Sequence, residues 1–304
     1  MSKALRNFLI VAGILVIVGA LIAGIGFFLG GMKPIGVTSN GLVIDGSSTK
    51  NMVQVNEKYS DVTSVKVNID AAELTLQEGD SFSLQGSYNS SYQDYSFTQQ
   101  DGVLNITGSS TKKGIWLLGG WNSANDNLTL TYPKGTKFDD MDITVSLGSL
   151  NINTLDTSSL EVSLDAGSLK GNNISTDTYT ASFHLGSCTL DQFSLKDSGN
   201  LSLDAGSLSL SGSTANNLSV DSHLGSVDIA GTLTGKTSLG LDLGSLTLSL
   251  DNAESESSYS VSSDLGSVKI NGTDMGNSVS KTTTSPVCTL DATLSAGSAN
   301  LSFK

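Results

Sequence analysis

A Gly-Ser dipeptide returns through the second half of the chain, at Gly148, Gly167, Gly186, Gly206, Gly225, Gly244, Gly266 and Gly297, with intervals of 19, 19, 20, 19, 19, 22 and 31 residues. The text around it barely changes: ITVSLGSLNI, VSLDAGSLKG, ASFHLGSCTL, LSLDAGSLSL, VDSHLGSVDI, LGLDLGSLTL, VSSDLGSVKI and ATLSAGSANL. Self-similarity at a short fixed period is the mark of a solenoid, in which each unit buries its apolar face only against its neighbours. Apolar and polar residues alternate with period two inside each unit, which is the pattern of strands. The third residue before each Gly (Val145, Leu164, Phe183, Leu203, Ser222, Leu241, Ser263, Leu294) and the second after it (Leu150, Leu169, Cys188, Leu208, Val227, Leu246, Val268, Ala299) should face inward.

A coil of 19 residues at ~3.3 Å each has a perimeter of roughly 60 Å, enough for a flattened β-coil around one stacked core. The expected fold class is therefore all-β: a parallel β-solenoid of about 19 residues per coil, right-handed by the rule for parallel crossovers. Leucine-rich spacing and the calcium-binding nonapeptide are both absent. Gly marks a corner where the chain turns without a Cβ. The two long intervals predict protruding loops at 251–258 and near 273–285.

The organisation read from the sequence is a cytoplasmic N-terminus (1–7), a transmembrane signal anchor (8–30), a linker or stalk (31–60), an N-terminal β region capping the solenoid (61–140) and the regular repeats (141–304). Residues Phe8 to Leu29 carry no charge over 22 positions, and a helix of that length spans about 33 Å, enough for a ~30 Å hydrocarbon core. The run exceeds the apolar stretch of a cleaved signal peptide. Lys3 and Arg6 precede it, so the positive-inside rule puts the N-terminus in the cytoplasm and the rest outside a single-pass membrane anchor. Small residues in the span (Gly19, Ala23, Gly26, Gly30) permit a homodimer through the helix. Beyond Lys33, 13 lysines against 29 acids leave a charge of −16, and Arg6 is the only arginine. Such a surface excludes nucleic acid as a partner.

Upstream of the repeats, VKVNIDAAELTL (Val65–Leu76) keeps the alternation with Ala72 at the glycine position. Eight of the 18 aromatic residues fall between Phe82 and Tyr132, including both tryptophans. Tyr88, Tyr92, Tyr95, Trp116 and Trp121 form the candidate ligand or partner patch, since such rings stack on sugars or dock proteins. The other reading of this block, which the sequence favours, is a cap that hides the open end of the solenoid.

The order of these pieces (anchor, linker, VKVNIDAAELTL, LTLTYPKGTKFDDMDITVSLGSLNI and the Gly-Ser ladder) resembles the bacterial DUF4097 family, whose members are labelled adhesins. The resemblance covers roughly residues 60 to 304. It implies a repeat solenoid of the bacterial envelope, mainly of Gram-positive organisms, and offers no catalytic residues to carry over.

Two residues before each Gly stands the column Ser146, Asp165, His184, Asp204, His223, Asp242, Asp264 and Ser295. His184 with Asp204, or His223 with Asp242, could share a divalent metal. The sequence weighs more for aspartates that accept backbone N–H groups at the corner, so neither a metal nor another cofactor is expected. Cys188 replaces an inward Leu and lies about five coils from Cys288, too far for a disulfide. Glycoside chemistry needs two carboxylates across a cleft, and acids on every coil do not single out a pair. The expected function is non-catalytic: a surface or envelope binding module, adhesin-like, taking a surface glycan or an envelope or membrane protein. The alternatives are a regulatory envelope-stress component contacting another membrane protein and, further back, a carbohydrate-active β-helix enzyme.

Overall fold

The computed structural model describes residues 51–91, 93–111 and 126–304, together with the backbone of 35–38, 41–44 and 115–118. The anchor at 8–30 lies outside the described residues, and among those residues no helix is long and apolar enough to cross a membrane.

A small sheet forms one unit. In it β1 (Ile35–Thr38) and β2 (Gly41–Ile44) make an antiparallel hairpin, and β8 (Ile115–Leu118) pairs antiparallel with β1. Part of the stretch expected as a linker is thus strand. So is β3 (Met52–Lys58), which belongs to the larger unit and pairs with β5 (Ser83–Asn89).

The larger unit is the solenoid. Its first full rung is β4 (Ser64–Gly79), which pairs parallel with the start of β10 (Lys137–Asn216) in a register that puts Ala72 opposite Gly148. β10 and β11 (Leu218–Leu250) are long stretches of extended chain that bend at corners and return one coil further on. Parallel pairing sets Gly206 beside Gly225. The alternation does what the sequence demands: the columns three before and two after each Gly are buried along the whole stack, Ser222 and Ser263 included. One continuous apolar core runs from Val55 to Leu301.

The corner glycines stack directly. At Gly167, Gly186, Gly206, Gly225 and Gly244 a Cβ would overlap the carbonyl oxygen of the Gly one rung before. Ala72 escapes this because the rung before it is broken. β7 (Val103–Ser110) pairs with residues 64–69 and β9 (Asn127–Pro133) with 73–79, which leaves 70–72 without a parallel partner on that side. The hydroxyl of Tyr95, on β6 (Gln93–Gln100), donates to the Ala71 carbonyl at 3.1 Å in that gap.

A second corner, six residues after Gly148, Gly167, Gly186 and Gly206, carries left-handed backbone at Thr154 (φ 61°), Asn173 (55°), Gln192 (54°) and Gly212 (54°). The Tyr132 hydroxyl donates to the Thr154 carbonyl at 2.6 Å and ties the first of these corners down.

The far end differs from the sequence reading. The C-terminal strand β15 (Cys288–Phe303) pairs parallel with β11 on one side and with β12 (Ser257–Ile270) on the other. The last rung in space is therefore the one built on Gly266, and the chain end lies inside the stack. The segment after it, expected as a protruding loop, holds β13 (Thr273–Asp274) and β14 (Ser278–Lys281), both laid antiparallel on β12. Glu254 organises this closure: its carboxylate accepts from Tyr259 Oη (3.0 Å), Lys281 Nζ (3.2 Å) and Asn271 Nδ2 (2.8 Å).

Candidate functional site

The aromatic block separates into two groups. Tyr95 is buried; its ring lies tilted 4.6 Å from that of the half-buried Tyr88 and stacks 5.9 Å from Phe97. Burial raises its hydroxyl well above the usual phenol range. Gly108 leaves room for this ring, since a Cβ there would meet Tyr95 Cε1. Tyr88 and Tyr95 are thus cap residues in packing. Tyr92, Trp121 and the side chain of Trp116 lie outside the described residues.

Neither cysteine reaches a histidine from the surface. Cys188 is fully buried, with its sulfur 3.9 Å from Tyr179 Oη, and burial pushes its thiol up to about 12. A thiol so protonated is inert as a nucleophile. Cys288 is also buried and free.

The edge beside the corner glycines is different, because it puts unusual side chains into solvent in register. Residues at the second position before Gly point outward and stack at about 4.8 Å per rung. Asp165, His184, Asp204, His223 and Asp242 form one line, each more than half exposed. His184 Nδ1 stands 3.2 Å from Asp165 Oδ1, and its Nε2 stands 3.9 Å from Asp204 Oδ2. The same arrangement repeats one histidine further on: His223 Nδ1 is 3.5 Å from Asp204 Oδ1, and its Nε2 is 3.9 Å from Asp242 Oδ2. The aspartates therefore face imidazoles of neighbouring coils, a pairing that the strict stacking of rungs imposes and that a corner-turn reading does not require.

Next to this line, at the position just before each Gly, the corner turns apolar side chains into water. Leu185, Leu224, Leu243 and Leu265 are 61%, 50%, 52% and 75% exposed. Sequence reasoning passed over this row. Its signal was the alternation of Leu with Ala at that position (Leu147, Ala166, Leu185, Ala205) where a core pattern would keep one size. In the row four before each Gly, Gly240 interrupts the outward side chains and opens a recess of about 420 Å³ lined by Ser202, Asp221, His223, Asp242 and Thr293.

A capped parallel β-solenoid with a ladder of polar and apolar side chains on one edge defines a repeat scaffold. The chain belongs to the Toastrack DUF4097 family, whose model matches residues 62–302. Among solved structures, it is similar to a "putative cell adhesion protein" from Clostridium sporogenes (14% identity, 83% of this chain and 100% of that one, TM-score 0.28). It is also similar to a "putative adhesin" from Bacteroides fragilis (12%, 84% and 98%, TM-score 0.32) and to a "putative lipid binding protein" from Parabacteroides distasonis (12%, 83% and 97%, TM-score 0.33). No curated protein matches the chain.

Proposed function

We propose that the chain is a non-catalytic display module, adhesin-like, held on the outer face of a bacterial membrane by residues 8–29 and presenting its glycine edge to a macromolecular partner. The observation that carries this reading is the exposed leucine row. Large apolar side chains at fixed rung spacing on an otherwise polar surface lose water-exposed area only when something covers them. The acidic balance of the outer part keeps nucleic acid and anionic lipid away. Tyr88, Tyr92, Trp116 and Trp121 stay proposed one by one as candidates for glycan contact, while Tyr95 is buried.

The leucine row also favours the regulatory alternative, in which the partner is another membrane protein, because an apolar ridge suits a protein better than a sugar. Crosslinking and pull-down of the full-length protein from intact cells, beside a glycan array, separates the two. Capture of one membrane protein that is lost in the Leu224→Lys, Leu243→Lys double variant supports the edge and the regulatory alternative. A glycan signal lost on Trp116→Ala or Trp121→Ala supports adhesion through the aromatic segment. Capture indifferent to all four changes overturns both readings.

A further inference from the structure

The corner glycines stack in the order Gly148, Gly167, Gly186, Gly206, Gly225 and Gly244, each against the one before. Over these six rungs the position just before Gly runs Leu147, Ala166, Leu185, Ala205, Leu224, Leu243. The position before that runs Ser146, Asp165, His184, Asp204, His223, Asp242. Leu185, Leu224 and Leu243 stand out into solvent, and Ala166 and Ala205 leave notches beside them. Knobs and notches repeating at ~4.8 Å per rung fit a row of the same kind, provided that it is set so that each knob meets a notch.

The chain itself supplies such a row when it is reversed. A second copy turned end for end, about a twofold axis between the Gly186 and Gly206 rungs, brings Leu185 onto Ala205 and Leu224 onto Ala166 of the other copy. Twofold symmetry makes each of these contacts twice. The same register sets His184 opposite Asp204 and His223 opposite Asp165. An imidazole facing a carboxylate is favourable whether the ring carries one N–H or two. The outermost rungs then put Leu147 on Leu243 and Ser146 beside Asp242. Sliding the copy by one rung loses both matches together: Asp165 faces Asp204 or Asp242, and Leu185 faces Leu185 or Leu224. A reversed register centred on Leu224 keeps the match of sizes but opposes Asp204 to Asp242, and like charges brought together select against it.

We propose that the partner of the glycine edge is a second copy of this chain, packed antiparallel so that the leucines of each copy fill the alanine notches of the other. Six rungs make a strip about 29 Å long, and four corner residues at ~3.3 Å each make it about 13 Å wide. The two faces together then cover roughly 760 Å² in flat projection, which belongs with weak and transient contacts. Two copies anchored side by side meet at a high effective concentration, which compensates for a small interface. Each outer part carries a charge of −16, but repulsion between distant charges is screened beyond about 8 Å at physiological salt, so the facing residues decide the register. This pairing rests on the reading of the edge as a display surface and names its partner.

The test is disulfide trapping between full-length Ala166→Cys and Leu224→Cys chains, produced together with tags of different mass and oxidised mildly. Cys188 and Cys288 are buried, so the parent chain is the blank. In the proposed register the two new thiols face each other. Two copies of one variant hold theirs three rungs apart, about 14 Å, beyond the ~7 Å between Cα atoms that a disulfide spans. The expected product is a linked dimer with one chain of each kind, at least about tenfold over the dimer from either variant alone. Without oxidation, sedimentation should show the dimer fraction fall for Ala166→Leu or Leu224→Ala alone and recover in the double variant, which exchanges knob and notch at positions outside the core. The proposal is overturned if mixed and same-variant links form alike, if none form, if Leu224→Cys links only to itself, or if the double variant pairs no better than the single ones. Failure of the link, with capture of another protein still lost in the Leu224→Lys, Leu243→Lys variant, overturns the pairing and leaves the display reading standing. A mixed link with capture indifferent to those lysines supports the pairing and overturns a foreign partner at this edge.

Discussion

Replacing Gly225 by Ala tests the central feature of the stack. Gly225 has φ 149°, a region that side chains with Cβ rarely enter, and an added Cβ would overlap the carbonyl oxygen of Gly206 and lie 2.8 Å from its carbonyl carbon. That neighbour is backbone, held in the ladder on both sides, so it cannot swing away as a side chain would. Two costs combine: about 1–3 kcal/mol for forcing an ordinary residue into the region, and about 1–3 kcal/mol for the added volume. A loss of about 2–6 kcal/mol is a large part of the 5–15 kcal/mol that ordinarily holds a domain together.

Gly212→Ala is the matched control. Gly212 is also left-handed (φ 54°), but nothing lies within 4 Å of a Cβ there, so only the conformational cost of about 1 kcal/mol applies. Urea denaturation compares the two, and hydrogen exchange localises the damage, because a repeat protein loses stability rung by rung. Gly225→Ala should speed exchange in the rungs of Gly206 and Gly225 first. Equal losses for the two variants, or protection lost evenly along the stack, would refute the close-stacking argument.

Thr154→Asn should stabilise the chain by about 0.5–1 kcal/mol, since a β-branched residue sits there at φ 61° where Asn is better tolerated; a lower urea midpoint would count against the second-corner reading. Asp126 is buried, accepts the Asn89 N–H at 2.9 Å through Oδ1 and has no partner for Oδ2 among the described residues. Burial raises its carboxyl to about 6, against the pull of that N–H. Between about pH 4 and pH 6 the folded chain therefore holds a proton that the unfolded chain releases, and stability from this group falls as pH rises through that window. Asp126→Asn should be more stable than the parent above about pH 6, with the gain gone below about pH 4, in urea titrations at each pH. Ending the chain before Cys288 should bare the edges of β11 and β12 that β15 now joins. The readout is proteolytic cleavage within 257–270 as well as a lost final strand, and cleavage confined to the new terminus would count against the inserted order of β15.

Much of this architecture was legible because period and alternation are properties of the backbone. A residue three before a corner glycine had nowhere to go but inward once the coil length was set, and Cys188 followed Leu169 and Leu208 into the core. The Asp/His column was legible as a column, but its chemistry was not. Whether Asp204 turns to a backbone N–H or to an imidazole depends on which rung lies beside it, and the 3.2–3.9 Å spacings follow from stacking rather than from local sequence. The second corner was missed because Thr154, Asn173, Gln192 and Gly212 share a backbone conformation and no residue type. Tyr95 read as a ligand platform or, the reading the sequence favoured, as a plug, and the gap between β7 and β9 beside 70–72 decided for the plug.

The order of rungs could not be read from the chain at all, and both ends solve the same problem in the same way. A parallel stack ends in a row of unpaired N–H and C=O groups that invites association. At the start, the chain lays down β4, places β7 and β9 outside it, and then continues from its inner side with β10. At the finish it completes β11, sets β12 one rung beyond, and returns to insert β15 between them. Longer connections are needed, but closure entropy grows only with the logarithm of loop length, about 0.6 kcal/mol for each doubling. The gain is that neither outermost rung is a free chain end. β12 is gripped by β15, β13 and β14, while the terminal residues are held in turn: Phe303 stacks 5.4 Å from Tyr259 and donates its N–H to Asn271 Oδ1 at 2.9 Å, and Lys304 pairs with Asp251. Fraying at the C-terminus must break two ladders where a sequential stack would lose one. The 31-residue interval between Gly266 and Gly297 is the trace of that insertion in the sequence.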